Sequence, residues 1–287
     1  MPSLSVVPPK PAPAALAPRF REGKGTPLLL LHGLGMSWRA WEPLLPDCSA
    51  HHDVLAPTLP GHRGATTWSG EFSIAALADA VEGELDAAGF STAHMVGNSL
   101  GGWVALELGR RGRARSLTAI SPAGAWRTRR DLIRLNLAIG SSELLMRNPL
   151  VSRTLALSLR QSQGRRLAFS TLMERGDRMT VQQARDTIAD FRACTVVGDV
   201  LRSGWRDGSF QALEEARYPI RLIWGRRDKI IPYQLYGAPY LNRLPSVTQI
   251  GLPGAGHVPM HDATGILSAL ILQLTAHQDL LQSEGTP

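Results

Sequence analysis

Met95-Val96-Gly97-Asn98-Ser99-Leu100-Gly101-Gly102 decides the fold of this chain, because it reads as a buried strand turning directly into a helix through Gly-x-Ser-x-Gly. At the tip of such a turn the backbone is strained, and the residues two positions away on either side must be small for strand and helix to pass. Gly97 and Gly101 meet that requirement. The turn holds the Ser99 hydroxyl forward as a candidate nucleophile. The N–H of Leu100 and the positive end of the helix then face any oxyanion that forms on attack at a carbonyl.

A single Gly-x-Ser-x-Gly also arises by chance, so a base, an acid and a second N–H donor have to come from elsewhere. Upstream, Pro27-Leu28-Leu29-Leu30-Leu31 is wholly apolar, as in a strand buried on both faces, and it runs into His32-Gly33-Leu34-Gly35. That turn can aim the N–H of Leu34 at the same oxyanion. Downstream, Ile220-Arg221-Leu222-Ile223-Trp224 reads as a short buried strand, and Gly225-Arg226-Arg227-Asp228 puts a carboxylate just past its end. A last apolar stretch, Val247 to Leu252, leads into Pro253-Gly254-Ala255-Gly256-His257. Ser99 as nucleophile, His257 as base and Asp228 as orienting acid form a candidate triad, in the chain order Ser, Asp, His expected of a strand-elbow-helix architecture.

With the Leu59-Pro60-Gly61-His62 turn added, these five motifs in register resemble the α/β-hydrolase superfamily from Phe20 to Leu281. The resemblance implies a mostly parallel, doubly wound α/β sheet. It also implies a helical cap inserted after what that superfamily counts as the sixth core strand. The chain's own pattern fits. Trp38 to Leu45 reads as a helix, Asp53 to Ala56 as a strand, and Ile74 to Ala88 as an amphipathic helix closed by Gly89. His94 to Gly97 and Ser116 to Ser121 read as strands, and Thr264 to Leu281 as a covering helix. Residues 122–217 show helical periodicity without a clear strand and are too long for a connection. The expected organisation is a proline-rich disordered arm over 1–18, a core of 19–121 and 218–287, and a cap of 122–217.

Composition sets outer bounds. The two cysteines, Cys48 and Cys194, suggest neither a zinc site nor a redox pair, which fits a reducing compartment. The first eighteen residues hold six prolines and lack the basic start and apolar run of a signal peptide. No apolar stretch is long enough to cross a bilayer. A soluble cytoplasmic protein with no membrane span is expected. The net charge of +7 raises nucleic acid as a partner, but the basic residues read as scattered and only 6% of residues are aromatic, so a small-molecule substrate is the expected partner. Between Pro122 and Arg217, 16 arginines face 10 acidic residues; solvated helix faces explain them more economically than an anionic substrate, and the pocket beneath is expected to be mainly apolar.

Other readings of single residues are weaker. His32 and His62 read as scaffold. His257 and His261 have helix-like metal spacing, but no His-Glu-x-x-His is present and the first lies in a loop, so neither a metal nor a cofactor is expected. Trp126 and Trp205 read as cap core. Expected function is cofactor-free hydrolysis of a carboxylic ester, thioester or lactone through an acyl-enzyme. Two alternatives are hydrolysis of a carbon–carbon bond in vinylogous diketones and a slow or non-catalytic ligand receptor. Gly97 to Gly102 resembles the ring-cleavage-product hydrolases, but Leu34-Gly35-Met36-Ser37 and the Val258 that follows His257 depart from their pattern.

Overall fold

In Thr26–Leu31 successive side chains leave the chain on opposite sides, and all four leucines are fully buried, so this strand is covered on both faces. Leu29 and Leu31 join a core cluster with Leu77, Val81, Val104 and Leu108. Leu28 and Leu30 join a second cluster with Leu44, Leu267 and Ile271. Two helical layers against one sheet is the arrangement that a run of consecutive apolar residues demands.

The computed structural model describes residues 16–213, 215–244 and 246–284. Its strands are β1 (Arg19–Glu22), β2 (Thr26–Leu31), β3 (His52–Pro57), β4 (Ala93–Asn98), β5 (Ala114–Ile120), β6 (Ile220–Gly225) and β7 (Thr248–Leu252). Its helices are α1 (Leu45–Ser49), α2 (Ile74–Ala88), α3 (Leu100–Arg110), α4 (Arg129–Arg147), α5 (Pro149–Ser158), α6 (Ser162–Ala168), α7 (Val181–Ala193), α8 (Val197–Asp207), α9 (Ala238–Leu241) and α10 (Thr264–Glu284). The strands form one seven-stranded sheet in the order β1-β3-β2-β4-β5-β6-β7. Only β1 is antiparallel, so the expected doubly wound α/β sheet is present.

A long helical stretch lies between β5, the strand that ends before Ser121, and β6, the strand that leads to Asp228. In this chain's own count β5 is the fifth of seven. Helices α4 to α8 fill this stretch, and it contributes no strand among the described residues.

Three local expectations shift. Trp38 to Leu45 is not one helix but a 3₁₀ turn, Trp38–Trp41, followed by α1. Pro43 and Pro46 lack the N–H that would carry the helix through, and Pro46 instead enters the first turn of α1, where no donor is needed. The arm expected over 1–18 lies outside the described residues up to residue 15. Residues 16–18 belong to the core surface, since Ala17 O accepts from Trp38 Nε1 (3.0 Å) and Pro18 O from Thr58 N (2.8 Å). Trp205, expected to fill the cap, is 44% exposed, whereas Trp126 packs edge-on to Trp103. Cys48 and Cys194 are both buried, and no disulfide joins them.

Candidate active site

The elbow forms as its sequence requires. Ser99 has φ 54° and ψ −116°, a conformation costly for any side-chain-bearing residue and held here by its neighbours. A Cβ on Gly97 would lie 2.2 Å from Gly101 O, and one on Gly101 would lie 2.2 Å from Leu31 O. Neither position admits alanine without moving backbone. The strain is held by hydrogen bonds from Ser99 N to Ile120 O (3.0 Å) and from Trp103 N to Ser99 O (3.1 Å).

Asp228 and His257 come from the carboxyl ends of adjacent strands, β6 and β7, which pair in register up to Gly225 and Leu252. His257 Nδ1 is 2.8 Å from Asp228 Oδ2, and both residues are buried. The other carboxylate oxygen, Oδ1, accepts from the N–H groups of Ile230 and Ile231, each at 2.9 Å. A carboxylate accepting on both oxygens is fixed in orientation, which makes Nδ1 of His257 the donor and leaves the lone pair on Nε2. The end of the neighbouring strand β5 leads into Ser121 and Pro122 and offers no carboxylate.

Asn98, which the sequence reading passed over, links the two halves. Its Nδ2 donates to Ile120 O (3.1 Å) and to His257 O (3.0 Å). Both partners are carbonyls, so the amide must present its nitrogen to them. The elbow and the loop that carries His257 are thereby joined through one side chain.

Ser99, His257, Asn98 and Leu34 line one cavity of about 140 Å³ beneath the cap, with Phe169 and Phe191 among its apolar walls. No described lining residue is charged. The N–H groups of Leu34 and Leu100 have no hydrogen-bond partner among the described residues. Leu100 opens α3, where the first N–H groups have no acceptor within the helix. Its side chain is buried outside the cavity wall, so any role it has is carried by its backbone. Of the residues singled out in the sequence, Ser99, His257 and Leu34 line this cavity, Asp228 lies against His257 behind it, and Leu100 follows Ser99 at the start of α3. His261 lines a separate small recess with Met36 and Asp190, and no cluster of three metal-ligating side chains occurs among the described residues.

The cap is pinned to the Leu34 turn by a group that sequence reading did not find. Asp190 of α7 is 3% exposed, accepts from Ser37 Oγ at 2.6 Å and pairs with Arg39 at 2.5 Å and Arg63 at 3.2 Å. The next residue, Phe191, packs so closely on Gly35 (φ 76°) that a Cβ there would sit 2.3 Å from its ring. No spacing rule links residue 37 to residue 190, so only the fold shows the contact. Asp190→Ala leaves two guanidinium groups short of a partner and should cost about 3 kcal/mol in urea unfolding. It should also lower kcat more than it raises KM, because the turn carrying the Leu34 N–H loosens. Unchanged stability would show that Asp186, 3.1 Å from Arg39, holds the cluster alone.

A parallel-sheet fold with a strained serine elbow, a buried His–Asp pair and an apolar capped cavity defines a hydrolase of the α/β class. The chain belongs to the alpha/beta hydrolase family, whose pattern it matches over residues 28–269. It is 35% identical over 204 residues to an epoxide hydrolase of Mycobacterium tuberculosis, covering 69% of this chain and 93% of that one. It is 31% identical over 246 residues to a pimeloyl-[acyl-carrier protein] methyl ester esterase of Aromatoleum aromaticum, covering 81% and 91%. The fold superposes on a meta-cleavage product hydrolase from Pseudomonas fluorescens with a TM-score of 0.68 at 19% identity, covering 90% and 93%.

Proposed function

We propose that this hydrolase cleaves a carboxylic ester, thioester or lactone through an acyl-enzyme on Ser99. The observation that carries this reading is the Asp228–His257 pair opening, with Ser99, onto one apolar cavity. His257 Nε2 takes the Ser99 proton as Oγ attacks the carbonyl carbon. The oxyanion is met by the N–H groups of Leu34 and Leu100, and His257 returns the proton to the leaving alkoxide or thiolate. Water, activated by the same imidazole, then releases the acid and restores Ser99.

The cavity bears on the competing chemistries. Ring-cleavage products such as the 2-hydroxy-6-oxo-6-phenylhexa-2,4-dienoate of one structural neighbour carry a carboxylate, and no described lining residue here could pair with it. Epoxide opening, the reaction named for one relative, needs a nucleophile whose adduct water can cleave. Serine attack on an epoxide gives an ether, which this machinery cannot hydrolyse, and no described carboxylate lines the cavity. A receptor would have no need of a base oriented by an acid with both oxygens engaged.

A panel of neutral esters, thioesters, lactones, vinylogous diketones and epoxides tests the assignment. Sustained turnover is expected for members of the first three only. Within the esters, a carboxylate on the acyl chain should lower kcat/KM by at least about a hundredfold against a neutral isostere, since an unpaired charge must be desolvated. Comparable rates for the two would place a cation in the pocket and return the diketones to contention. Turnover of the diketones alone would overturn the ester reading.

A further inference from the structure

The positive charge of this chain is concentrated in one segment rather than scattered. Residues 127–167 hold nine arginines against two carboxylates, Asp131 and Glu143, an excess equal to the +7 of the whole protein. Elsewhere acidic and basic residues balance, and the core arginines are largely spent on ion pairs: Arg19 with Glu84, Arg21 with Asp53, Arg111 with Glu82 and Arg115 with Asp279. In the segment, by contrast, Arg127, Arg129, Arg130, Arg134 and Arg160 are exposed and form no ion pair with another described residue.

The same segment carries every exposed large apolar side chain described in the cap except Trp205. On α4, Ile133, Leu137 and Leu144 are 44%, 66% and 76% exposed, and their spacing of four and seven puts them on one helix face. On α5, Leu150 and Leu157 repeat at seven and are 76% and 61% exposed. Leu167, just after, is 77% exposed. The opposite side of the hairpin faces inward, where Ile139 of α4 and Leu155 of α5 line the cavity above Ser99. An outward apolar stripe among unpaired arginines is the composition of a helix that lies in a lipid interface. Two copies packed through this face would bring like charges together, whereas an anionic surface neutralises them.

We propose that the outer face of the α4–α5 hairpin docks this enzyme on anionic lipid surfaces, with the leucines entering the headgroup boundary and the arginines meeting the lipid phosphates. The cavity roof is then the element in contact with the bilayer, which suits an apolar substrate partitioned there. No described helix is long and apolar enough to cross a membrane, so the attachment is peripheral. It does not depend on which bond Ser99 attacks.

Co-sedimentation of the full chain with vesicles of phosphatidylcholine alone, or mixed with phosphatidylglycerol, tests the proposal at an ionic strength of about 0.15 M. Binding is expected to the mixed vesicles only. Replacing Arg127, Arg129, Arg130 and Arg134 together by Gln should lower that partitioning by at least about a hundredfold. Replacing Leu137, Leu144, Leu150 and Leu157 by Ser should also abolish it, while hydrolysis of a water-soluble ester is unchanged. Equal binding to uncharged vesicles, or none to either kind, would overturn the proposal. Two further results would do the same. A dimer in light scattering that the serine variant dissociates would assign the face to a second copy, and binding to a soluble polyanion that survives the leucine changes would assign the arginines to nucleic acid.

Discussion

Ser99→Ala should lower kcat/KM for a soluble ester by on the order of 10⁶ and abolish labelling by a fluorophosphonate, with the thermal midpoint little changed. The hydroxyl is the only group lost, and the elbow is held by backbone bonds to Ile120 and Trp103 that alanine keeps. His257→Ala should be equally severe, because without Nε2 the serine proton has no acceptor. Asp228→Asn should be milder, at about 10⁴, and the hydrogen bonds give the reason. Asp228 accepts from His257 on one oxygen and from the Ile230 and Ile231 N–H groups on the other. An amide has one acceptor oxygen. Turned to serve the two N–H groups, it presents its NH₂ to His257 and forces the wrong tautomer; turned the other way, it sets its NH₂ against two donors. Near-normal rates in Asp228→Asn would mean that another carboxylate orients the base. Persistent fluorophosphonate labelling of Ser99→Ala would remove Ser99 as nucleophile.

The parts of this site that could be read in advance are those where geometry leaves one residue type a choice. Gly97 and Gly101 are legible because any Cβ there meets backbone at 2.2 Å, and the buried leucines of β2 because a strand covered on both faces cannot alternate with polar residues. The loop positions of Asp228 and His257 follow from short apolar strands ending in glycine-rich turns. Long-range side-chain contacts were not legible. Asn98 reaching His257 O and Asp190 reaching Ser37 each join elements far apart in sequence, and either residue alone looks like ordinary solvated polarity. Strand β1 was also missed. Arg-Phe-Arg-Glu lies on the sheet edge with three of its four residues exposed, so it has no apolar period to show. In the cap the presence of helices was legible, but the direction each face points was not, since Leu137 and Ile139 are equally apolar and only one of them lines the cavity.

Lowering the pH from 7 to 4.5 should destabilise this protein steeply, and two buried histidines outside the cavity lining are a main cause. His32 Nε2 accepts from Leu59 N (2.9 Å), so Nδ1 is the nitrogen that donates to Gly33 O (2.8 Å). A second proton on Nε2 would face a donor. His62 stands edge-on to His32 with ring centroids 4.9 Å apart, and its buried Nε2 has no acceptor. Burial therefore pushes His62 down to about 4 and His32 well below its usual range, where the neighbouring His62 adds to the effect. Both groups titrate near 6.5 in the unfolded chain, so below that pH the unfolded state binds more protons than the folded one. Their contribution is complete above about pH 6.5 and drains away as pH falls toward 4, at up to about 1.4 kcal/mol per pH unit for each histidine. Urea unfolding at successive pH values should show a steep loss over this window, and His62→Gln should lower its slope, the remainder coming from His32 and from His94, which burial also pushes down to about 4. A midpoint constant from pH 7 to 5 would contradict the neutral assignments. The two imidazoles brace the turns that carry Leu34 on one side and meet the cap through Gly61 and Thr195 on the other. Acid should thus release the oxyanion turn and the cap contact together, and activity should fall in step with stability.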